Sequence, residues 1–157
     1  MCWAQIVAFS VRQGDASGAT IAVSLIYDMN RLMPELPEVE TTVNGIRPFA
    51  EGRTVAGVIV RQRHLRWPVS RGLSQKLSGK VIQSVRRRAK YILFEFERGT
   101  LLIHLGMSGR LRVVPSTTPS EKHDHVDLLL DDGHCVRFRD PRRFGSVTWV
   151  SGDPLVS

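Results

Sequence analysis

Tyr91-Ile92-Leu93-Phe94-Glu95-Phe96-Glu97 alternates along its length in the manner of a β-strand. Ile92, Phe94 and Phe96 recur at every second position, so an extended chain puts them on one face and Tyr91, Leu93 and Glu95 on the other. Working outward, residues 80–88 read as a second strand. Residues 100–105 and 110–114 flank Gly106-Met107-Ser108-Gly109, a turn, and 126–130 and 134–139 flank the hairpin signal Asp131-Asp132-Gly133. The β-branched stretch 54–63 and residues 146–150 supply further strands, and the Pro-containing stretch 115–122 is a loop. Helical spacing is confined to 37–49, where Val39, Val43 and Ile46 fall at i, i+4 and i+7 behind Pro37, and to 70–77, stopped by Gly79. The pattern predicts a mainly β chain with two helices, folded as a two-layer β-sandwich.

The 157 residues suit one domain with a real hydrophobic core. Lys and Arg number 22 against 15 Asp and Glu, a net charge of +7. Residues 1–32 are neutral, Arg12 and Arg31 balancing Asp15 and Asp28, so the whole excess lies on residues 33–157. A basic balance on a compact domain favours a polyanionic partner, nucleic acid first; a merely soluble basic protein is the alternative. Cys2 and Cys135 form neither a disulfide framework nor a Cys-x-x-Cys metal motif, which fits a reducing cytoplasm. The apolar run 21–27 is too short to span a bilayer and lacks the basic flank of a signal peptide. The expected chain is a monomer without a membrane anchor.

A start-like sequence, Met33-Pro34-Glu35-Leu36-Pro37-Glu38, sits inside the chain. If Met33 were the initiator and were removed, Pro34 would present a free secondary amine. An α-amino group has a pKa of about 8, well below that of lysine, and can hold a carbonyl-like carbon as an iminium. Within a longer chain the same nitrogen is an amide and has no such chemistry. Residues 1–32 are expected to be either sequence upstream of a misplaced start or an N-terminal arm.

Six blocks in order resemble the formamidopyrimidine-DNA glycosylases, base-excision enzymes for oxidised purines. They are Pro34-Glu35-Leu36-Pro37-Glu38-Val39-Glu40-Thr41-Thr42, Arg66-Trp67-Pro68, Arg87-Arg88-Ala89-Lys90-Tyr91, His104-Leu105-Gly106-Met107-Ser108-Gly109, Lys122-His123-Asp124-His125-Val126-Asp127 and Asp140-Pro141-Arg142-Arg143-Phe144-Gly145. The resemblance implies the N-terminal catalytic domain of that family over 33–150, with 151–157 opening a truncated interdomain segment. Pro-Glu-Leu-Pro-Glu favours the oxidised-purine branch over the related endonuclease VIII branch, which usually reads Pro-Glu-Gly-Pro-Glu.

The resemblance also implies roles. Pro34 is the nucleophile at the sugar, Glu35 protonates the sugar oxygen, and Lys90 serves binding and strand cleavage. Met107, Arg142 and Phe144 fill the void left by an extruded base, and His123 holds the DNA backbone. Arg143 is a further backbone candidate. Its implied partner is duplex DNA containing oxidised purines or abasic sites, near the nucleoid. Full-length members carry a second helical domain with a four-cysteine zinc finger, so zinc is expected only there and none on this chain. The activity implied is that of a glycosylase with abasic-site lyase chemistry, inactive as this fragment; the alternative is a non-catalytic DNA-binding fragment with Pro34 blocked.

Several of these residues have blander readings. Glu35 also suits a solvated helix start. Lys90 follows a charge run, and such runs are usually solvated faces. It precedes the apolar strand, which would fix it on a sheet. Phe144 also suits core packing behind Pro141. His123-x-His125 would place both rings on one strand face, as in some metal sites, although no third ligand is evident. His125 and Asp127 are expected to be mainly structural.

Overall fold

The structure, a computed structural model, describes residues 36–152, so Pro34, Glu35, the 1–32 extension and residues 153–157 lie outside the described residues. The elements in order are α1 (Leu36–Ala50), β1 (Val55–Val60), α2 (Leu73–Leu77), β2 (Ser84–Arg88), β3 (Tyr91–Phe96), β4 (Gly99–His104), β5 (Arg110–Pro115), β6 (Asp124–Leu130), β7 (His134–Arg139) and β8 (Ser146–Ser151). The strands form two antiparallel four-stranded sheets, ordered β1-β6-β7-β5 and β2-β3-β4-β8. This is the two-layer, mainly β architecture with two helices that the alternation predicted.

The core lies between the sheets. Ile92, Phe94 and Phe96 point into it with Leu101 and Ile103 from β4, meeting Leu128, Leu130, Val136 and Phe138 from the other sheet. The opposite face of β3 is not uniformly wet, for Leu93 is also buried. α1 packs against β2 and β3 and reaches β5, so it closes one open side of the sandwich. Val39, Val43 and Ile46 are its buried stripe.

The helices and their flanks also answer the edge-strand problem. An edge strand carries unpaired N–H and C=O groups that invite a foreign strand unless something covers them. On β2, the Val85 N–H donates to Glu51 Oε1 at 2.9 Å and the Val85 carbonyl accepts from Arg47 Nε at 3.0 Å. On the other side, the Val58 N–H donates to Ser74 Oγ and the Trp149 N–H to Ser70 Oγ, so the segment around α2 covers β1 and β8.

A buried ion-pair network fixes the loop that precedes β6. Arg137 of β7 donates from Nε and Nη2 to the Asp127 carboxylate at 2.9 and 3.0 Å. The same guanidinium caps the carbonyls of Thr118 and Pro119, and Arg61 donates to Asp127 at 2.7 Å. Burial alone would raise the Asp127 carboxyl, but the hydrogen bonds from Arg137 and Arg61 outweigh it and hold it below its ordinary range.

Candidate functional site

The candidate residues named from the sequence that lie among the described residues gather at one end of the sandwich. Arg88 pairs with Tyr91 across β2 and β3, which leaves Ala89 and Lys90 as a two-residue turn with Ala89 at φ 50°. Lys90 therefore sits one residue ahead of the sheet and half-buried, not on the strand. Arg87 fixes this corner: its Nε donates to Glu40 in the first turns of α1 at 2.6 Å, and its Nη1 donates to the Ala89 carbonyl. The helix start and the Lys90 turn are thereby held together. A shallow depression beside them is lined by Val39, Lys90, His104, Leu105 and Gly106. Pro34 and Glu35 immediately precede α1 in sequence and are outside the described residues.

His104 forms the floor of this corner. Its ring stands edge-on to Tyr91 with centroids 5.0 Å apart. Nδ1 accepts from the Gly106 N–H at 2.9 Å, so the neutral ring carries its proton on Nε2. Burial lowers its pKa first, and the positive charges of Arg66 and Lys90 lower it further. It is a neutral imidazole beside a cationic lysine.

Met107 sits at the tip of the β4–β5 turn, closed by the Gly109 N–H donating to the Leu105 carbonyl at 2.7 Å. Phe144 lies in the β7–β8 loop and is 45% exposed, so the core-packing alternative for it does not hold. The two segments touch backbone to backbone. A Cβ on Gly106, which has φ 62°, would come within 2.6 Å of the Phe144 carbonyl carbon and the Gly145 nitrogen. Only glycine allows this approach. Arg142 and Arg143 are exposed on the same loop, and Arg143 holds φ 57°, a left-handed conformation that costs a non-glycine residue about 1 kcal/mol.

His123 precedes β6 in a turn and is partly exposed, while His125 is buried on the strand. Their rings lie 6.4 Å apart at a steep angle, and His125 Nε2 donates to the Asp140 carbonyl at 2.7 Å. The expectation of two rings side by side on one strand face is thus corrected: only His125 is on the strand, and its Nε2 faces the protein. Among the described residues no group of three or more His, Cys, Asp or Glu is arranged to hold a metal ion. His125 and Asp127 are the buried structural groups expected of them.

Sequence reading left several residues here without a role. Asp140 is fully buried; its carboxylate accepts from the Ser108 hydroxyl at 2.6 Å and from the Gly145 N–H at 2.7 Å. The Arg66 N–H donates to the Gly145 carbonyl at 3.2 Å, which seats the 64–68 loop against the same place and leaves Trp67 62% exposed. In the sequence Asp140 reads as the turn residue before Pro141, and nothing local shows that its partners lie 32 residues back at Ser108.

Lysine, arginine and histidine thus collect at this end of the sandwich, together with the half-buried Met107 and the exposed Phe144. The comparisons with known proteins place the chain in a family. The family model described as the formamidopyrimidine-DNA glycosylase N-terminal domain matches residues 33–147, and the chain belongs to that family. A formamidopyrimidine-DNA glycosylase of Alkalilimnicola ehrlichii is 56% identical over 128 residues, covering 78% of this chain and 46% of that protein. One from Thioalkalivibrio sulfidiphilus is 58% identical over 120 residues, covering 76% and 44%. Among solved structures, the Lactococcus lactis enzyme in complex with DNA containing an abasic site superposes with a TM-score of 0.72 at 31% identity, covering 78% of this chain and 46% of that one. The same enzyme with DNA containing a formamidopyrimidine lesion gives 0.71. The chain thus spans a little under half the length of the relatives it matches. Among the described residues no helix is long and apolar enough to cross a membrane.

Proposed function

We propose that this chain carries the catalytic half of a base-excision DNA glycosylase that acts on oxidised purines and cleaves the resulting abasic site. The supporting observation is the convergence at one end of the sandwich: the α1 start, the Lys90 turn, and the Met107 and Phe144 segments in backbone contact. An enzyme that excises a base must take it out of the stack, and apolar side chains then fill the gap. Met107 and Phe144 are the wedges, with Arg142 offering its guanidinium to the orphaned opposite base. Lys90, His123 and Arg143 hold phosphates. The partner is duplex DNA.

The chemistry rests on Pro34 as a free amine. Its lone pair forms the bond to the anomeric carbon and the damaged base leaves with its bonding electrons. The attacking nitrogen then gives up its N–H proton, which neutralises the departing base, and regains a lone pair; as the ring C–O bond opens, Glu35 gives its proton to the ring oxygen and that lone pair completes an iminium. Loss of a proton from the neighbouring sugar carbon then expels the 3′ phosphate. Lys90 stands beside this centre as a positive charge toward the phosphates. With residue 1 as the start, Pro34 is an interior amide, and the uncleaved chain then acts as a DNA-binding module without excision.

Borohydride reduction of the iminium gives the test. A chain whose first residue is Pro34, joined by the family's C-terminal half, should crosslink to abasic-site DNA on reduction. The 157-residue chain, its residue 1 confirmed by intact mass, should be nearly inactive. Equal trapping with the Pro34 amine acetylated removes Pro34 from the mechanism. Replacing Arg143 with Gln should weaken binding evenly across sequences and reduce the slope of log K against log salt by about one unit.

A further inference from the structure

Asp140 lies where three of the proposed DNA-contacting segments meet, and its bonds go to those segments. Oδ1 accepts from the Ser108 hydroxyl at 2.6 Å, one residue past Met107. Oδ2 accepts from the Gly145 N–H at 2.7 Å, one residue past Phe144. The Asp140 carbonyl accepts from the Arg143 N–H, and its own N–H donates to the carbonyl of His123. Ser108 completes the link: while its hydroxyl donates to Asp140, its oxygen accepts from the Arg142 N–H at 3.1 Å. A buried carboxylate is costly unless its oxygens are hydrogen-bonded, so these partners are held firmly.

We propose that Asp140 is a positioning residue, acting through Ser108 to lock the Met107 turn to the Arg142–Phe144 loop so that the three void-filling side chains enter the DNA as one unit. The proposal rests on the wedge reading of Met107, Arg142 and Phe144 given above. Hydrogen bonds from a hydroxyl and an amide define where each segment sits, and the Gly106 contact with residues 144 and 145 leaves no slack between them. Wedges that arrive separately must be ordered at the moment of insertion, and that cost falls on opened DNA alone. Intact duplex, held through phosphates, does not register it.

The experiment measures binding of the 157-residue chain to two duplexes, one intact and one with a tetrahydrofuran abasic site, by fluorescence anisotropy at several salt concentrations. The proteins are the wild type, Ser108→Ala, Ser108→Thr, Phe144→Ala and Ser108→Ala combined with Phe144→Ala, each with its melting temperature. Ser108→Ala should lose about tenfold of the preference for the abasic duplex, equivalent to about 1.4 kcal/mol. Its affinity for intact duplex and its salt slope should stay unchanged, and Ser108→Thr should restore the preference. Ser108→Ala should have no further effect once Phe144 is gone. Full preference retained in Ser108→Ala overturns the lock. So does an equal loss on both duplexes with a lowered melting temperature, which marks a merely structural serine. Should Ser108→Ala fail to fold, Ser108→Thr and Asp140→Asn carry the comparison, and wild-type preference in Asp140→Asn overturns the lock. A wild type with no preference at all refutes the wedge reading itself and the lock with it.

Discussion

Two buried carboxylates, Asp127 on β6 and Asp140 just past the end of β7, do different work. Asp127 is 1% exposed and faces two guanidiniums, Arg137 and Arg61, so its charge is matched inside the sheet. Asp140 is 0% exposed and meets a hydroxyl and an amide, both on loops at the end of the sandwich. The first arrangement ties β6 to β7 and, through Arg137, closes the loop at Thr118 and Pro119. The second leaves the strands alone and sets the geometry of the loops that carry Met107, Arg142 and Phe144. An ion pair within the sheet fixes the scaffold, whereas a carboxylate at its rim fixes the loops at one end.

The largest effect should come from breaking the scaffold pair. Asp127→Ala leaves two guanidiniums facing a buried site, and removing one partner of a buried pair costs about 3–5 kcal/mol. Chemical denaturation should show this as a lowered midpoint. A cost below about 1 kcal/mol would erase the distinction drawn between the two carboxylates. Gly106→Ala should follow, at about 2–4 kcal/mol, because the new methyl meets backbone and φ is positive. Gly79→Ala is its control: φ is 80° but nothing lies within 4 Å, so only the conformational cost of about 1 kcal/mol remains. Similar losses at both glycines would show that the Phe144 loop yields.

Asp140→Asn should cost less, about 1–2 kcal/mol, since size is kept and the amide still accepts at one of the two positions where the carboxylate accepts. The smallest effect separates the two regions by pH. Asp127 has a depressed pKa when folded, so its contribution is present above the ordinary carboxylate range and is lost as pH falls through the lower folded value. His104 is also depressed, but from about 6.5. Below that value the unfolded chain binds the proton more readily than the folded one, so stability falls as pH drops toward the folded pKa. His104→Gln should flatten the stability curve just below pH 6.5 and leave the more acidic limb unchanged.

Much of the fold was legible because short-range periodicity carries it. Ile92, Phe94 and Phe96 alternate and are buried; Val39, Val43 and Ile46 recur at helical spacing and line the core side of α1. The sheet order was not legible, since Val55 pairs with Leu130 and His104 with Ser146, and no local pattern encodes such partners. Leu93, on the face shared with the half-buried Tyr91 and Glu95, is buried as well, which alternation does not show. At the candidate site, Lys90, His123, Met107, Arg142 and Phe144 were readable as motifs. Those that hold them were not. Ser108 and Asp140 gain meaning only when the chain brings two turns together, and His104 only when Lys90 and Arg66 come close to it.

Whether the end of the sandwich bearing Phe144 reads opened DNA, as proposed, turns on one substitution. Phe144→Ala is titrated with intact and abasic duplex across a salt series, alongside its thermal unfolding. The salt slope, near −0.9 for each phosphate neutralised, and the affinity for intact duplex should stay unchanged. Preference for the abasic duplex should be lost with the melting temperature unmoved, as befits a side chain already 45% exposed. An equal loss of affinity for both duplexes together with a destabilised fold would contradict the proposal and make Phe144 a packing residue.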